Sequence, residues 1–290
     1  MDVVVLSNGL GNQMSQYAFY LQKRRISKST LWMPFCHDHN GFELKSVFNI
    51  NPQTGFQQKF WYLIFRALLT DKSIVSDFLG SIIRSLGFKI IKENFDYNFK
   101  SNYLVPSPSV TFYYGGWHSE KYFSDVRSDV QKQFTFTEPT DPQNVNHLHD
   151  ITYSMSVAIH VRRGDYLNAD NINLFGDVST KEYFEKAIAL INSKVEDPHF
   201  FIFSNDIPWV KENFQMDKVT YVTCNNGENS WKDMFLMSRC KHNIISNSTF
   251  SWWGAWLNTN RHKIVISPKR FLKSDNHTDV YPDSWTKITE

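Results

Sequence analysis

The sequence predicts an α/β fold built on parallel sheets, and three observations carry the prediction. The chain opens on an apolar run at residues 3–6 that passes through the turn at 7–11 into a helical pattern. From residue 157 onward, short apolar strands alternate with amphipathic helices, which requires crossover connections between parallel neighbours. The 290 residues, 41% hydrophobic and 21% charged, are enough for two globular domains rather than one.

Taken in order, the first helix carries Met14, Tyr17, Ala18 and Leu21 at helical spacing. Lys23, Arg24 and Arg25 fall near its C-terminus, where the helix dipole favours cations. Between residues 30 and 150 the pattern is irregular, with helical stretches near 57–70 and 76–92. The most apolar window, "FWYLIFRALL" at 60–69, is too short to span a bilayer and contains Arg66. Phe60, Leu63, Ile64, Ala67 and Leu68 share one face there. That face is expected to pack on its own domain, with contact at a membrane interface as the alternative. Residues 136–150, polar with two prolines and no period, read as a linker between domains at 1–145 and 150–290. The second domain then reads strand 157–161, helix 179–194, strand 199–204, helix 207–214, strand 218–223, helix 230–241, strand 243–246, helix 250–257 and strand 263–267. Ser179 and Glu182 have capping-box spacing, and Phe184, Ala187, Ile188 and Ile191 form the stripe expected to be buried.

Composition excludes some functions. A net charge of +2 without basic runs argues against nucleic acid. Cys36, Cys224 and Cys240 match neither a zinc site nor a redox pair and read as free thiols in a reducing compartment. The opening "MDVVVLSNG" reads as strand and turn rather than a secretion signal, so the expected location is cytoplasmic, with peripheral contact at the inner face of the membrane as a variant. Asn247 and Asn276 head glycosylation sequons that read as coincidence in such a chain. No D-x-D occurs, and "HDH" at 37–39 is a weak cluster, so no metal site is expected.

Chemistry concentrates where strands end. In parallel sheets, ligands bind beyond the carboxyl ends of the strands. "HVRRGDY" at 160–166 leaves such an end, and Arg162 and Arg163 offer forked, permanent cations to a diphosphate, or an ion pair to Asp165 or a neighbouring loop. "NIISNSTFSWWGAWLN" at 243–258 runs from strand to helix. Free N–H groups would face an anion there, with Ser248 or Thr249 as ligand or as plain cap. Trp252, Trp253 and Trp256 on that helix read as core. Asp206 in "FSNDIPW" suits the N1–H and amino group of guanine, or else caps the helix at 207. Gly9 and Gly11 in "SNGLGNQ" allow close backbone approach ahead of Asn12 and Gln13, or simply make a tight turn.

Together, "GLGNQMSQYAF", "GGWHSEKYF" at 115–123, "HVRRGDY", "FSNDIPW" and "LMSRCKHNIISNSTFSWWGAWLN" resemble the α-1,2-fucosyltransferases of glycosyltransferase family 11 in their short bacterial form, in the family's order and over most of the chain. The resemblance implies a GT-B fold, two Rossmann-like domains facing across a cleft, the first on the acceptor side and the second binding donor. It implies inverting, metal-independent transfer of L-fucose from GDP-β-L-fucose to the 2-hydroxyl of a terminal galactose on a β-galactoside oligosaccharide or lipid-linked glycan, with no cofactor. Carried over by position, the nucleotide set is Gly9, Gly11, Asn12, Gln13, His160, Arg162, Arg163, Ser204, Asp206, Ser248, Thr249 and Ser251. Asp165 is the candidate base, or else orients the arginines, and Trp117, His118 and Glu120 face the acceptor. The chain departs from the family pattern at Asn205, usually acidic, at Ser15, usually phenylalanine, and at His118, usually glutamine. The rivals are a fucosyltransferase of α-1,6 or O-linked specificity and a non-catalytic protein that binds nucleotide sugars or galactosides.

Overall fold

The structure is a computed structural model that describes residues 1–34, 40–51, 57–69, 74–94, 96–169, 171–275 and 277–289, with the side chains of 57–58, 74–77, 165 and 167 outside that description. Cys36, the "HDH" cluster and Asn276 lie outside the described residues. The chain divides into two compact units, Met1–Thr135 and Phe136–Glu290.

The first unit runs β1 (Asp2–Val5), α1 (Leu10–Ile26), β2 (Ser29–Trp32), α2 (Glu43–Phe48), α3 (Gln57–Leu69), α4 (Ile74–Ser85), β3 (Phe88–Lys92), β4 (Val110–Tyr114) and α5 (Arg127–Gln133). Its four strands pair in parallel in the order β2-β1-β4-β3. β1 is buried throughout, as a central parallel strand covered on both faces must be, and this is why it reads as an unbroken apolar run. Val3, Val5, Trp32 and Phe112 pack with Ile64, Phe65 and Leu68 of α3. Tyr113, the next residue on β4, turns to the other face and meets Phe19 of α1 at 5.6 Å between ring centroids.

Two expectations fail in this unit. The helix near 76–92 stops at Ser85. Gly87, with φ 86, turns the chain into β3. Phe60 and Leu63 are exposed, and the face of α3 that packs inward is Ile64, Phe65, Ala67 and Leu68. Lys23 lies in the last turn of α1, as its spacing predicts, and is buried there. Its side chain and that of Asp2 are both 0% exposed, with Nζ 2.9 Å from Oδ2, and Nζ also donates to Tyr113 Oη and the carbonyls of Val105 and Tyr103. Burial lowers the Lys23 pKa and Asp2 opposes the shift. Arg24 and Arg25 are exposed as expected.

The second unit runs α6 (Pro142–Thr152), β5 (Met155–Val161), α7 (Ile172–Phe175), α8 (Lys181–Lys194), β6 (Pro198–Ser204), α9 (Ile207–Asn213), β7 (Val219–Val222), α10 (Trp231–Arg239), β8 (His242–Ile244), α11 (Thr249–Trp256), β9 (Val265–Pro268) and β10 (Thr286–Ile288). Its six parallel strands lie in the order β10-β9-β8-β5-β6-β7, the doubly wound Rossmann arrangement. The core joins Val157, Ile159 and Val161 of β5 to Phe184, Ala187 and Ile191 of α8. Thr180 rather than Ser179 caps α8, accepting from Tyr183 N.

The segment at 136–150 is not a linker. Asp141 caps α6 by accepting from Asn144 N, Pro142 occupies the first turn, and Phe136 stacks on Trp231 of α10. The boundary between the units falls at 135/136 instead. Each unit is a parallel α/β layer structure, the pair of building blocks that a GT-B fold contains.

Replacing Lys23 with Met should cost about 3–5 kcal/mol in a urea melt, because it strands the Asp2 carboxylate in the core. The double variant with Asp2→Asn should lose less than the sum of the single losses; an additive result would mean the pair is not coupled.

Candidate active site

In the second sheet the crossovers from β5 and β8 leave in opposite directions, so the loops at that switch point diverge and expose an edge for ligand. In the second unit the switch lies between β5 and β8, with β6 on the far side of β5. "HVRRGDY" leaves β5, "SNST" leaves β8 and "SND" leaves β6. Three stretches distant in sequence therefore meet at one sheet edge.

His160 closes β5. It is buried, its Nδ1 lies 2.9 Å from Ser246 Oγ, and its pKa falls to about 3, chiefly through burial and secondly through the Arg162 charge. It is neutral at any working pH, so the charge at this edge is guanidinium charge. Arg162 is half-buried, its guanidinium 5.9 Å from the centroid of Tyr166. Arg163 lies 3.8 Å over the Trp209 ring, and its Nε is 3.4 Å from Asp206 Oδ2. Asp206 also caps α9 by accepting from Trp209 N at 3.2 Å. The two residues expected to hold opposite ends of a nucleotide are thus partners of each other here.

The loop carrying the arginines is pinned on both sides. Asn205 Oδ1 accepts from Arg163 N and Gly164 N at 3.0 and 3.3 Å. Ser204 Oγ donates to Val161 O and accepts from Asp206 N. Tyr166 donates to Asn247 O at 3.0 Å. Asp165 sits on the 3-10 turn Gly164–Leu167, its side chain outside the described residues.

After β8, Ser248 occupies the N-cap of α11, but no side chain caps the helix. The first N–H groups of α11 have no intrahelical acceptor, and the helix dipole puts partial positive charge there. Ser248 is buried and Thr249 half-buried at this end. Ser251 differs from expectation: it is fully buried, and its hydroxyl donates to the Ser248 and Ser246 carbonyls. Asn247 is a hub rather than a glycosylation site. It is fully buried, donates to Phe175 O and Phe271 O, and accepts from Ser179 Oγ.

In the first unit β1 and β4 are parallel neighbours, which brings "SNGLGNQ" beside "GGWHSE". Gln16 ties them, donating to Gly115 O and Ser7 Oγ while accepting from Ser7 N. Gln13 is fully buried, donates to Asn8 O and Gly41 O, and accepts from Glu43 N and Leu44 N. Glu43 Oε2 accepts from Leu10 N, so a resident carboxylate already occupies the start of α1. Gly11 is buried, which leaves Gly9 and Asn12 as the accessible members of that expected set.

The expected acceptor residues lie on the loop after β4. Trp117 is 0% exposed, stacked on Phe19 at 4.3 Å, with φ 55. His118 is buried, which drives its pKa to about 3. Glu120 is half-buried in an ion pair with Arg127. Trp117 and His118 shape the loop from inside instead of offering a face. Sequence reading missed what holds them: Glu93, just past β3, whose Oε2 accepts from Gly116 N and Trp117 N at 2.7 and 2.8 Å. A Cβ on Gly116 would sit 2.2 Å from His118 Nε2, so the close approach needs glycine. Glu93 Oε1 and Trp117 Nε1 are buried without a hydrogen-bond partner. Burial raises the Glu93 pKa to about 7 against the two N–H bonds, which lower it. Among the described residues, no group of three His, Cys, Asp or Glu is arranged to hold a metal.

A carboxyl with its folded pKa raised from 4.5 to about 7 holds its proton longer in the folded state. Its contribution is complete below about pH 4.5 and is lost as pH rises through 7. Buried His118 and His160 titrate in the opposite sense, so the prediction lies in the difference between proteins: in urea melts Glu93→Gln should remove a fall of about 3 kcal/mol across that window. Asp233, also raised to about 7 by burial, titrates in the same direction, so the difference between wild type and variant isolates Glu93. Identical pH slopes would exclude the assignment.

The family model for Glycosyl transferase family 11 matches residues 2–289. The chain is 32% identical to the O-antigen biosynthesis glycosyltransferase WbnK of Escherichia coli over 98% of this chain and 99% of that one. It is 31% identical to an alpha-1,2-colitosyltransferase of Escherichia coli over 99% of each. A galactoside alpha-(1,2)-fucosyltransferase 1 of Lagothrix lagotricha is 29% identical over 47% of this chain and 40% of its own length. With the family model spanning both units and two relatives matched end to end, this chain belongs to glycosyl transferase family 11 and is a glycosyltransferase.

Proposed function

We propose that the protein transfers L-fucose from GDP-β-L-fucose to the 2-hydroxyl of a terminal galactose, with inversion and without a divalent cation. The observation that carries this reading is the edge between β5 and β8. Two guanidiniums on one strand's end and an uncapped helix start on the other's meet there. In the reaction, the 2-hydroxyl oxygen bonds to fucose C1 as the bond from C1 to the β-phosphate oxygen breaks. The electron pair leaves on GDP, and the hydroxyl proton passes to a base, for which Asp165 is the candidate. Arg162, Arg163 and the α11 N–H groups take up the charge developing on the diphosphate, at sites set before the reaction begins. The Arg163–Asp206 pair suggests how the donor engages. When the N1–H and amino group of guanine take over Asp206, Arg163 is released to the phosphates. The first unit takes the acceptor glycan.

A second donor is favoured by the colitosyltransferase relative, matched at 31% over the full length. Colitose is fucose without its 3-hydroxyl, so the two readings differ at one group of the sugar. A site that hydrogen-bonds that hydroxyl rejects the deoxy sugar strongly, whereas a site with apolar contacts there accepts both.

Incubation with GDP-fucose and a panel of β-galactosides in EDTA should release GDP and yield an α-1,2 product by NMR. Activity abolished by EDTA and restored by manganese would refute the metal-free reading, and a higher kcat/KM for GDP-colitose would reassign the donor. Arg162→Ala should lower kcat by roughly 10²–10³-fold with the melting profile kept. Near-normal turnover would remove Arg162 from the mechanism. Asp165→Asn should abolish the acidic limb of the pH–rate profile; an unchanged limb would exclude Asp165 as base.

A further inference from the structure

We infer that the helical hairpin α3–α4 is a docking face for an anionic lipid bilayer. Of the large apolar side chains exposed among the described residues, half belong to this one hairpin: Phe60, Leu63, Phe78, Leu79, Ile82 and Leu86. That is a concentration, not the scatter of single residues normal on a soluble surface. Phe78 is 70% exposed, Leu86 69% and Leu63 68%. On α4, residues 78, 79, 82 and 86 recur at helical spacing and form one outward stripe, while Ile83 turns inward to the sheet core. Phe60 of α3 joins that stripe at its end, its ring 6.5 Å from Phe88, two residues past Leu86.

Charge chooses the occupant. Residues 57–92 carry six Lys or Arg and two Asp, a net of +4 in a chain whose total is +2. Lys59, Arg66, Arg84, Lys89 and Lys92 are exposed. Apolar side chains inserted at the acyl boundary, with long cations reaching back to the headgroups, is how an interfacial helix binds anionic lipid. Neither helix crosses a bilayer, since among the described residues none is long and apolar enough. Lys59 and Leu63 also line a cavity of about 410 Å³ with Trp32, Met33, Pro34 and Tyr62. The docking face therefore reaches the carboxyl end of β2, on the ligand edge of the first sheet. The inference concerns attachment alone and stands whichever sugar is transferred.

The test is flotation of the whole protein with vesicles of phosphatidylcholine alone or mixed about 3:1 with phosphatidylglycerol. Binding to the anionic vesicles should be stronger by roughly tenfold or more and should weaken as salt is raised. Phe78→Ser with Leu86→Ser should abolish it, with the circular dichroism unchanged. Lys59→Glu with Lys89→Glu, which leaves the apolar stripe intact, should remove the preference for phosphatidylglycerol. Equal partition into both vesicles, no binding to either, or binding untouched by both variants would overturn the inference. So would a wild-type dimer in light scattering that the serine variant dissolves, because the face would then belong to a second protein copy.

Discussion

The candidate site depends on one constraint: the crossovers from β5 and β8 leave their sheet in opposite directions. Neighbouring parallel strands whose connections turn the same way cover each other's ends, and only at the reversal is the edge left open. The loops at this open edge are fixed. Asn247 is bound through its side chain to Phe175, Ser179 and Phe271 and through its carbonyl to Tyr166, so the turn before α11 and the loop after β5 move as one piece. Asn205 performs the same task toward β6 through two backbone N–H groups. Donors held in place before charge develops cost no reorganisation during reaction, and this is where such a site obtains its rate.

Much of this was legible in the sequence and some of it could not be. The second unit's strands and helices announce themselves because hydrophobic period switches cleanly between 2 and 3.6 from β5 to β9. The three tryptophans of α11 read as core and are core, Trp252 donating from Nε1 to Val280 O. α6 hid because its polar surface wraps only two buried residues, Asn144 and Ile151, while Asp141 and Pro142, which look like loop, are its cap and first turn. β3 was absorbed into a helix because Ile82, Ile83, Ile90 and Ile91 keep an apolar rhythm across the Gly87 turn.

The residues whose partners cannot be read from the sequence share a physical cause. Lys23 has its partner at Asp2, and a helix-end lysine carries no sign of which strand lies beneath it. Glu93 has no side-chain hydrogen-bond partner among the described residues. Its ligands are two backbone N–H groups more than twenty residues away, brought near only because β3 and β4 are neighbours in the sheet. Asn247 carried a motif that pointed outward, whereas its four hydrogen-bonding partners hold it in the interior. Motifs record which residues sit at a strand's end; the strand order decides what those residues touch.

The two sheets differ in what holds the N–H groups beyond the carboxyl ends of their strands. In the first unit, Glu43 takes the Leu10 N–H at the start of α1 and Glu93 takes those of Gly116 and Trp117. Those three donors are therefore already taken. In the second unit no side chain caps α11, and His160 stays neutral beside the arginines. The N–H groups of Leu10, Gly116 and Trp117 are thus already held by carboxyl oxygens, whereas the start of α11 has no side-chain acceptor among the described residues.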